Sequence, residues 1–92
     1  MLFEYDPAKS AANLRKHGID FEDAQAVWDD PEAIDVHIAR EGEERWMVIG
    51  RAHAALWSVV VTYRGEDGET VRIISARRAA KREADFYARN HR

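Results

Sequence analysis

The hydrophobic periodicity of the sequence changes near Pro31, and this change constrains the fold more than any other feature. Before Pro31, apolar side chains recur at helical spacing, as at Phe21, Ala24 and Val27. After it, apolar and polar side chains alternate through residues 34–38, which is typical of a strand with one face in water. The sequence therefore predicts helices followed by a run of strands, which is an α+β architecture.

Two helices are predicted before this change. Asp6 and Pro7 form an N-cap followed by proline at the first helical position, and Gly18 is a typical residue just beyond a helix C-terminus. A second helix is predicted to begin at Asp20. It ends within "DDPE" (residues 29–32), because a residue that precedes proline disfavours the α conformation.

Four strands are predicted after the change, in addition to a short strand in residues 2–5. The second of the four contains "WMVI" and is predicted to end at Gly50. The third, "ALWSVVVTY", is nearly continuous in apolar and β-branched residues, which predicts a central strand covered on both faces. "REGEE" and "RGEDGE" predict turns, and "RRAAKREADFYARN" after the strand "TVRIIS" predicts a final helix. The predicted order is β-α-α-β-β-β-β-α, an antiparallel sheet flanked by helices in one domain over residues 1–92.

The composition limits the chemistry that the chain can perform. There is no cysteine, which excludes disulfides, thiolate metal sites and cysteine nucleophiles. The four histidines lack metal-ligand spacing and there is no glycine-rich phosphate loop, so we expect neither a metal nor a cofactor. The N-terminus lacks the features of a signal peptide, and no apolar run is long enough to span a bilayer. We therefore expect a cytoplasmic protein that makes no membrane contact.

The charge is distributed unevenly along the chain. Residues 1–46 contain twelve acidic and five basic residues, whereas residues 47–92 contain five acidic and nine basic residues. Most of the basic excess lies in the C-terminal stretch "VRIISARRAAKREADFYARNHR". Such an asymmetry indicates either an end that binds a polyanion or two opposite poles that pair with each other in the fold.

The best candidates for anion binding are Arg77 and Arg78. They are predicted to lie where the last strand meets the last helix, where free backbone N–H groups and the helix dipole also favour an anion. Arg72 is predicted to point to the sheet face opposite its apolar neighbours. Arg64 approaches the same side only if the strand register allows it. Guanidinium groups at these positions would hold an anion through several donors.

Structural interpretations compete with these functional ones. Lys81 and Arg82 fit a solvated helix face, where Lys81 can pair with Asp85. Tyr87 fits a residue that packs the last helix, and His17 fits the end of the first one.

Three segments together resemble the BrnT family, the toxin half of a bacterial type II toxin–antitoxin system. They are "FEYDPAKSAANLRKHGIDFEDAQAVWDD", "GEERWMVIG" and "VRIISARRAAKREADFY", and they cover most of the chain. The resemblance implies a RelE-like ribonuclease fold and cleavage of RNA, free or on the ribosome, that inhibits translation. It also implies a cognate ribbon-helix-helix antitoxin (BrnA-like), through which alone the toxin would contact operator DNA.

The resemblance also implies functional residues and a mechanism. In such metal-independent ribonucleases the 2′-OH attacks the adjacent phosphorus and expels the 5′-oxygen, which requires a base, an acid and cations for the phosphorane. The polar positions that match the family are Lys9, Asn13, Lys16, His17, Glu44, Arg45, Arg64, Arg77, Arg78, Glu83 and Tyr87.

We assign the predicted catalytic roles among these positions. Arg77 and Arg78 bind the phosphate, and Arg64 supplies the other stabilising cation. His17 transfers a proton, because its ordinary pKa of about 6.5 suits neutral pH. Lys16 positions the RNA backbone. The predicted substrate-binding residues are Lys9, Arg72 and Tyr87.

Three other functions compete with this hypothesis. A non-catalytic subunit would retain nucleic acid or an acidic partner without cutting it, and its binding to nucleic acid would be sensitive to salt. A degenerate toxin would still bind its antitoxin. A metal-dependent nuclease would need an acidic cluster with ligand spacing, which the sequence does not show.

Overall fold

The computed structural model describes residues 1–38 and 42–90. Arg40 and Glu41 of the predicted "REGEE" turn, and the C-terminal His91 and Arg92, lie outside the described residues. The predicted order of elements is confirmed. In chain order the elements are β1 (Leu2–Glu4), α1 (Pro7–His17), α2 (Phe21–Ala24), a 3₁₀ helix (Gln25–Asp29), β2 (Ile34–Ile38), β3 (Arg45–Ala52), β4 (Ala55–Arg64), β5 (Thr70–Arg78) and α3 (Lys81–Arg89).

The predicted caps define both N-terminal helices. The Asp6 carboxylate accepts a 2.8 Å hydrogen bond from the Ala8 N–H, and Gly18 ends α1 in the left-handed conformation with φ of 79°. The Asp20 carboxylate accepts from the Asp23 N–H at 2.7 Å at the start of α2. Within the described residues, no helix is both long enough and apolar enough to cross a membrane.

The five strands form one sheet in the order β1-β5-β4-β3-β2. β4 is the central strand, as its apolar sequence predicted. All neighbouring strands are antiparallel except β1, which pairs in parallel with β5. A parallel pair needs a long connection, and most of the chain lies between these two strands. One sheet face packs on the helical layer of α1, α2 and the 3₁₀ helix. The core of that face contains Phe21, Ala24, Val27, Val48, Val59, Val61, Val71 and Ile73.

The prediction that the second long strand ends at Gly50 is wrong. β3 continues to Ala52, and a two-residue turn at His53 and Ala54 leads into β4, with φ of 50° and 60°. Gly50 is buried, and a Cβ on it would lie 2.8 Å from the Cγ1 of Val27 in the helical layer. Glycine at this position permits close packing of the 3₁₀ helix on the sheet, rather than ending the strand.

The prediction that the last helix begins at Arg77 is also wrong. β5 includes both Arg77 and Arg78, and the Ala79 N–H donates to the Leu56 carbonyl at 2.9 Å, which continues the pairing with β4. α3 begins only at Lys81, so the two arginines follow the alternation of a strand.

Candidate nucleic-acid interface

The strand register places Arg64, Arg72 and Arg77 on the same face of the sheet. Arg72 lies opposite Thr62, Arg77 opposite Ser58, and Arg64 opposite Thr70. Ser58, Thr62 and Arg64 are separated by even numbers of residues on β4, so their side chains lie on one face. Arg77 and Arg72 share that face with their partners Ser58 and Thr62. All three arginines therefore point away from the helical layer. We call this side of the sheet the arginine face. The prediction that Arg72 points away from its apolar neighbours is confirmed, and the register, which the sequence left open, places Arg64 on the same side.

Arg78 points to the opposite face, since it follows Arg77 in the same strand. Its partner in the register is the buried Trp57, and its guanidinium lies 5.5 Å from the centre of the Trp57 ring. The two adjacent arginines therefore serve different sides of the sheet, and one phosphate on the arginine face would meet Arg77 and not Arg78.

Helix α3 packs on part of the arginine face. Its Glu83 side chain accepts a hydrogen bond from Ser58 of β4. An open groove of about 560 Å³ lies between α3 and the strands β2 and β3, and is lined by Val36, Met47, Ile49, Arg82, Glu83, Asp85, Phe86 and Arg89. Neither Arg64 nor Arg72 lines this groove, so the cavity and the arginines on β4 and β5 are separate features.

One cluster on the arginine face is loose and exposed. It consists of Glu4, Glu43, Arg64 and Arg72, and we call it the open cluster. The Glu4 carboxylate lies 3.4 Å from the Arg72 Nη1 and 3.9 Å from the Arg64 Nε, and the Glu43 carboxylate lies 3.1 Å from the Arg64 Nη2. The side chains of Glu4, Arg64 and Arg72 are 43%, 49% and 35% exposed. Exposed ion pairs of this kind are each worth about 0–1 kcal/mol, so an anionic ligand can displace them at little cost.

A buried hydroxyl lies beside the open cluster. Thr62 is 1% exposed, and its Oγ1 has no hydrogen-bond partner within the described part of the chain. Thr62 is opposite Arg72 in the register and two positions from Arg64 on the same face. Buried hydroxyls usually have a partner, so Thr62 is an exception that lies beside the two arginines.

The second cluster joins the sheet to α3. It consists of Ser58, Arg77 and Glu83, and we call it the closed cluster. Arg77 donates two hydrogen bonds to Glu83, at 2.7 and 2.8 Å, and Glu83 also accepts from the Ser58 hydroxyl at 2.9 Å and the Ala80 N–H at 2.7 Å. The hydrogen bonds from Arg77 above all, with those from Ala80 and Ser58, lower the pKa of Glu83 to about 2 against the opposing effect of burial.

The two clusters are far apart along the strands. On β4, Arg64 lies six residues from Ser58, which pairs with Arg77. Six residues of a strand span about 20 Å. Arg64 and Arg77 therefore share a face but cannot contact one phosphorus in this arrangement.

The remaining predicted site residues lie elsewhere. Lys9, Lys16 and His17 are on α1, in the helical layer, and neither lysine is buried. Tyr87 is buried in α3, where its hydroxyl donates to the Asp30 carboxylate at 2.7 Å. The structure thus brings Arg64 and Arg72 together, and does not bring the α1 residues to them.

Asn13 is one of the polar positions that match the family, and its contacts stabilise the fold. Its buried side chain donates to the Ile19 and Ala76 carbonyls, each at 2.8 Å, and accepts from the Ala76 N–H at 3.3 Å. β1 pairs with β5 only at residues 70–72, so the Asn13 amide satisfies the backbone of β5 beyond the end of β1. This contact also places α1 beside the Arg77 half of β5.

Asp30, which follows the 3₁₀ helix, anchors α3. Its carboxylate accepts from the backbone N–H groups of Glu32 and Arg51, at 2.9 and 2.8 Å, as well as from Tyr87. Burial would raise the pKa of Asp30, but these hydrogen bonds outweigh burial and lower it.

The ion pairs also bear on the uneven charge of the sequence. Glu4 and Glu43 come from the acidic N-terminal half and pair with arginines of the basic C-terminal half. The two poles therefore pair in the fold, and these pairs balance the two arginine charges of the open cluster with two carboxylates. The predicted Lys81–Asp85 pair is confirmed at 3.0 Å.

The sequence matches a known protein family. The sequence model of the ribonuclease toxin BrnT, of type II toxin–antitoxin systems, matches residues 5–83. The chain belongs to the BrnT family. Membership identifies it as a ribonuclease toxin, with RNA as its substrate and an antitoxin as its partner. No curated protein matched the sequence.

The BrnT match includes Arg64, Arg72 and the closed cluster, and it begins immediately after Glu4. The sequence pattern points to the arginines but not to Glu4 or Glu43, because only the pairing of β1 with β5 brings Glu4 to Arg72. Across residues 1–38 and 42–90, no group of three or more histidines, aspartates and glutamates is arranged to hold a metal ion.

Proposed function

We propose that this BrnT-family protein cleaves RNA without a metal ion, by attack of a 2′-OH on the adjacent phosphorus with expulsion of the 5′-oxygen. The products would be a 2′,3′-cyclic phosphate and a 5′-hydroxyl. The observation that carries the proposal is the convergence of Arg64 and Arg72 on one carboxylate on an exposed sheet face. Two guanidinium groups at the reacting phosphate would supply the charge that the phosphorane requires.

The open cluster supports phosphate binding through its charge and its exposure. A phosphodiester carries the same charge as the Glu4 carboxylate, and planar guanidinium donors match the geometry of its oxygens. Displacing Glu4 from two exposed ion pairs costs little.

The closed cluster supports a different role for Arg77. Its side chain remains 41% exposed while it holds Glu83. A single-stranded RNA that lies along β4 and β5 would place another phosphate near Arg77, about 20 Å from the reacting one. Arg77 would thus bind a flanking nucleotide and hold α3 in place.

The roles of the other predicted residues stay predictions. RNA would have to extend beyond the arginine face to contact Arg78, Lys9, Lys16 and Tyr87. His17, in the helical layer beside the other half of β5, has no contact with the open cluster among the described residues.

The family match supports a proposal for the biological setting. We propose that the toxin acts in the cytoplasm and inhibits translation, on free RNA or on ribosome-bound RNA. A ribbon-helix-helix antitoxin would neutralise it and would provide the only contact of the complex with operator DNA.

The test uses purified protein and an end-labelled single-stranded RNA with EDTA present. We expect cleavage that leaves cyclic-phosphate ends, and no cleavage where a 2′-deoxynucleotide replaces the attacking ribose. A parallel reaction with translating ribosomes covers the ribosome-dependent case. Retention of RNA without cleavage in both reactions would contradict the proposal and would favour a binding subunit. Cleavage that EDTA abolishes would contradict metal independence.

A further inference from the structure

We infer that Glu4 is the general base that accepts the proton of the attacking 2′-OH. This inference rests on the proposed ribonuclease function and adds to it a residue that neither the family match nor the sequence analysis identifies.

The position of Glu4 supports this role. It is the last residue of β1 and lies opposite Arg72 in the parallel register, so its side chain is on the arginine face. Its two carboxylate oxygens are directed at different arginines, Oε1 at Arg64 and Oε2 at Arg72. When a phosphate takes the place of this carboxylate on the two guanidinium groups, the displaced Glu4 side chain would still lie next to it, within reach of the neighbouring 2′-OH.

The other carboxylates near the arginines are less suitable. Glu83 already accepts four hydrogen bonds and lies in the closed cluster. Glu43 contacts Arg64 but has no contact with Arg72 in the described residues. Glu4 alone in this set is adjacent to both cations.

The step balances with groups that the site and solvent provide. The 2′-OH proton passes to the Glu4 carboxylate as the 2′-oxygen forms its bond to phosphorus. The bond from phosphorus to the 5′-oxygen breaks, and this oxygen takes a proton from a water molecule, to which the exposed face is open. Arg64 and Arg72 stabilise the charge on the phosphoryl oxygens, and the carboxylic acid returns its proton to solvent.

The experiment separates RNA binding from RNA cleavage with the substitution Glu4→Gln. Glutamine keeps the size of the side chain but cannot accept the proton, so we expect cleavage to fall by about 100- to 10,000-fold. Affinity for an oligonucleotide made uncleavable by a 2′-deoxyribose should stay the same or rise, because a competing negative charge is removed. The loss should therefore appear in the cleavage rate at saturating RNA and not in the affinity.

Glu66→Gln is the matched control. Glu66 lies in the turn between β4 and β5, is exposed, and forms no ion pair in the described part of the chain, so the same loss of charge should leave the cleavage rate unchanged. Glu43→Gln tests the neighbouring carboxylate and should retain cleavage within a few-fold.

The outcomes distinguish the inference from the function on which it rests. If the wild type cleaves RNA and Glu4→Gln cleaves equally well, or if only Glu43→Gln loses cleavage, the inference is overturned while the ribonuclease function stands. If Glu4→Gln reduces binding and cleavage to the same extent, Glu4 only holds the arginines, which also overturns the inference. If the wild type cleaves no RNA in any format, the proposed function itself fails.

Discussion

The open and closed clusters use the same residue types on the same sheet face, yet they differ in almost every physical respect. In the closed cluster, Glu83 is 14% exposed and has a donor for each of its oxygens. In the open cluster, Glu4 is 43% exposed and its contacts with the arginines are 3.4 Å or longer. The difference arises because α3 packs over one cluster and not over the other.

This comparison shows what makes one arginine structural and leaves another available to bind a ligand. A guanidinium with a partly buried carboxylate and two short hydrogen bonds is held in place, and its removal leaves a desolvated charge. A guanidinium with exposed, longer contacts keeps its position but can exchange its partner. Sequence alone cannot separate the two, because both are arginines in strands near a glutamate.

The largest expected effect is on cleavage, from Arg64→Ala in the open cluster. We expect a roughly 100- to 1,000-fold slower reaction, since one stabilising cation is lost from the reacting phosphate. The free energy of unfolding should change by less than about 1 kcal/mol, because only exposed ion pairs are lost. Arg15→Ala on the exposed side of α1 is the matched control and should cleave like wild type. Equal activity of both variants would show that the open cluster is not the site.

The next effect is on stability, from Arg77→Ala in the closed cluster. We expect the free energy of unfolding to fall by roughly 2–3 kcal/mol, because Glu83 loses its main partner while it remains largely covered. Urea denaturation monitored by tryptophan fluorescence measures the change. A variant that unfolds like wild type but no longer cleaves RNA would instead make Arg77 a member of the catalytic site.

The pH dependence of stability should distinguish the clusters further. Glu83 has a pKa of about 2 in the folded protein and about 4.5 when unfolded, so its stabilising contribution is complete above pH 5. That contribution, on the order of 2 kcal/mol, is lost as the pH falls from about 5 to 2. Glu83→Gln should reduce this acid dependence, as followed by thermal unfolding across the range. An identical acid profile in wild type and variant would contradict the assigned pKa.

The smallest effect concerns the far end of α3. Tyr87→Phe removes the hydroxyl that donates to Asp30, and should cost about 1 kcal/mol of unfolding free energy. Burial, together with Asp30, raises the pKa of Tyr87, so the hydroxyl stays protonated and this contact should not vary between pH 6 and 9. If folded Tyr87→Phe cleaved saturating RNA much more slowly than wild type, Tyr87 would also contact the substrate.

Local signals in the sequence predicted most of the fold. The caps at Asp6 and Asp20, the end of α1 at Gly18 and the central position of "ALWSVVVTY" all follow from interactions within a few residues or from the degree of burial. The turn at His53 and Ala54 had no such signal, because it contains none of the Gly, Asn or Asp residues that are typical of two-residue hairpin turns, although both of its residues have positive φ. Gly50 was wrongly predicted to end a strand, because the contact that requires glycine there comes from Val27, which is distant in sequence.

The candidate site was predictable only in part. The sequence by itself determined the α+β order, the excess of arginines in the C-terminal half, and the strings that identify the BrnT family. The tertiary structure decided that Arg77 and Arg78 point to opposite faces, that Arg64 and Arg77 are about 20 Å apart, and that Glu4 lies between Arg64 and Arg72. The physical reason is that helices and turns are encoded by neighbouring residues. Strand register, and therefore which charges meet, depends on the packing of the whole sheet.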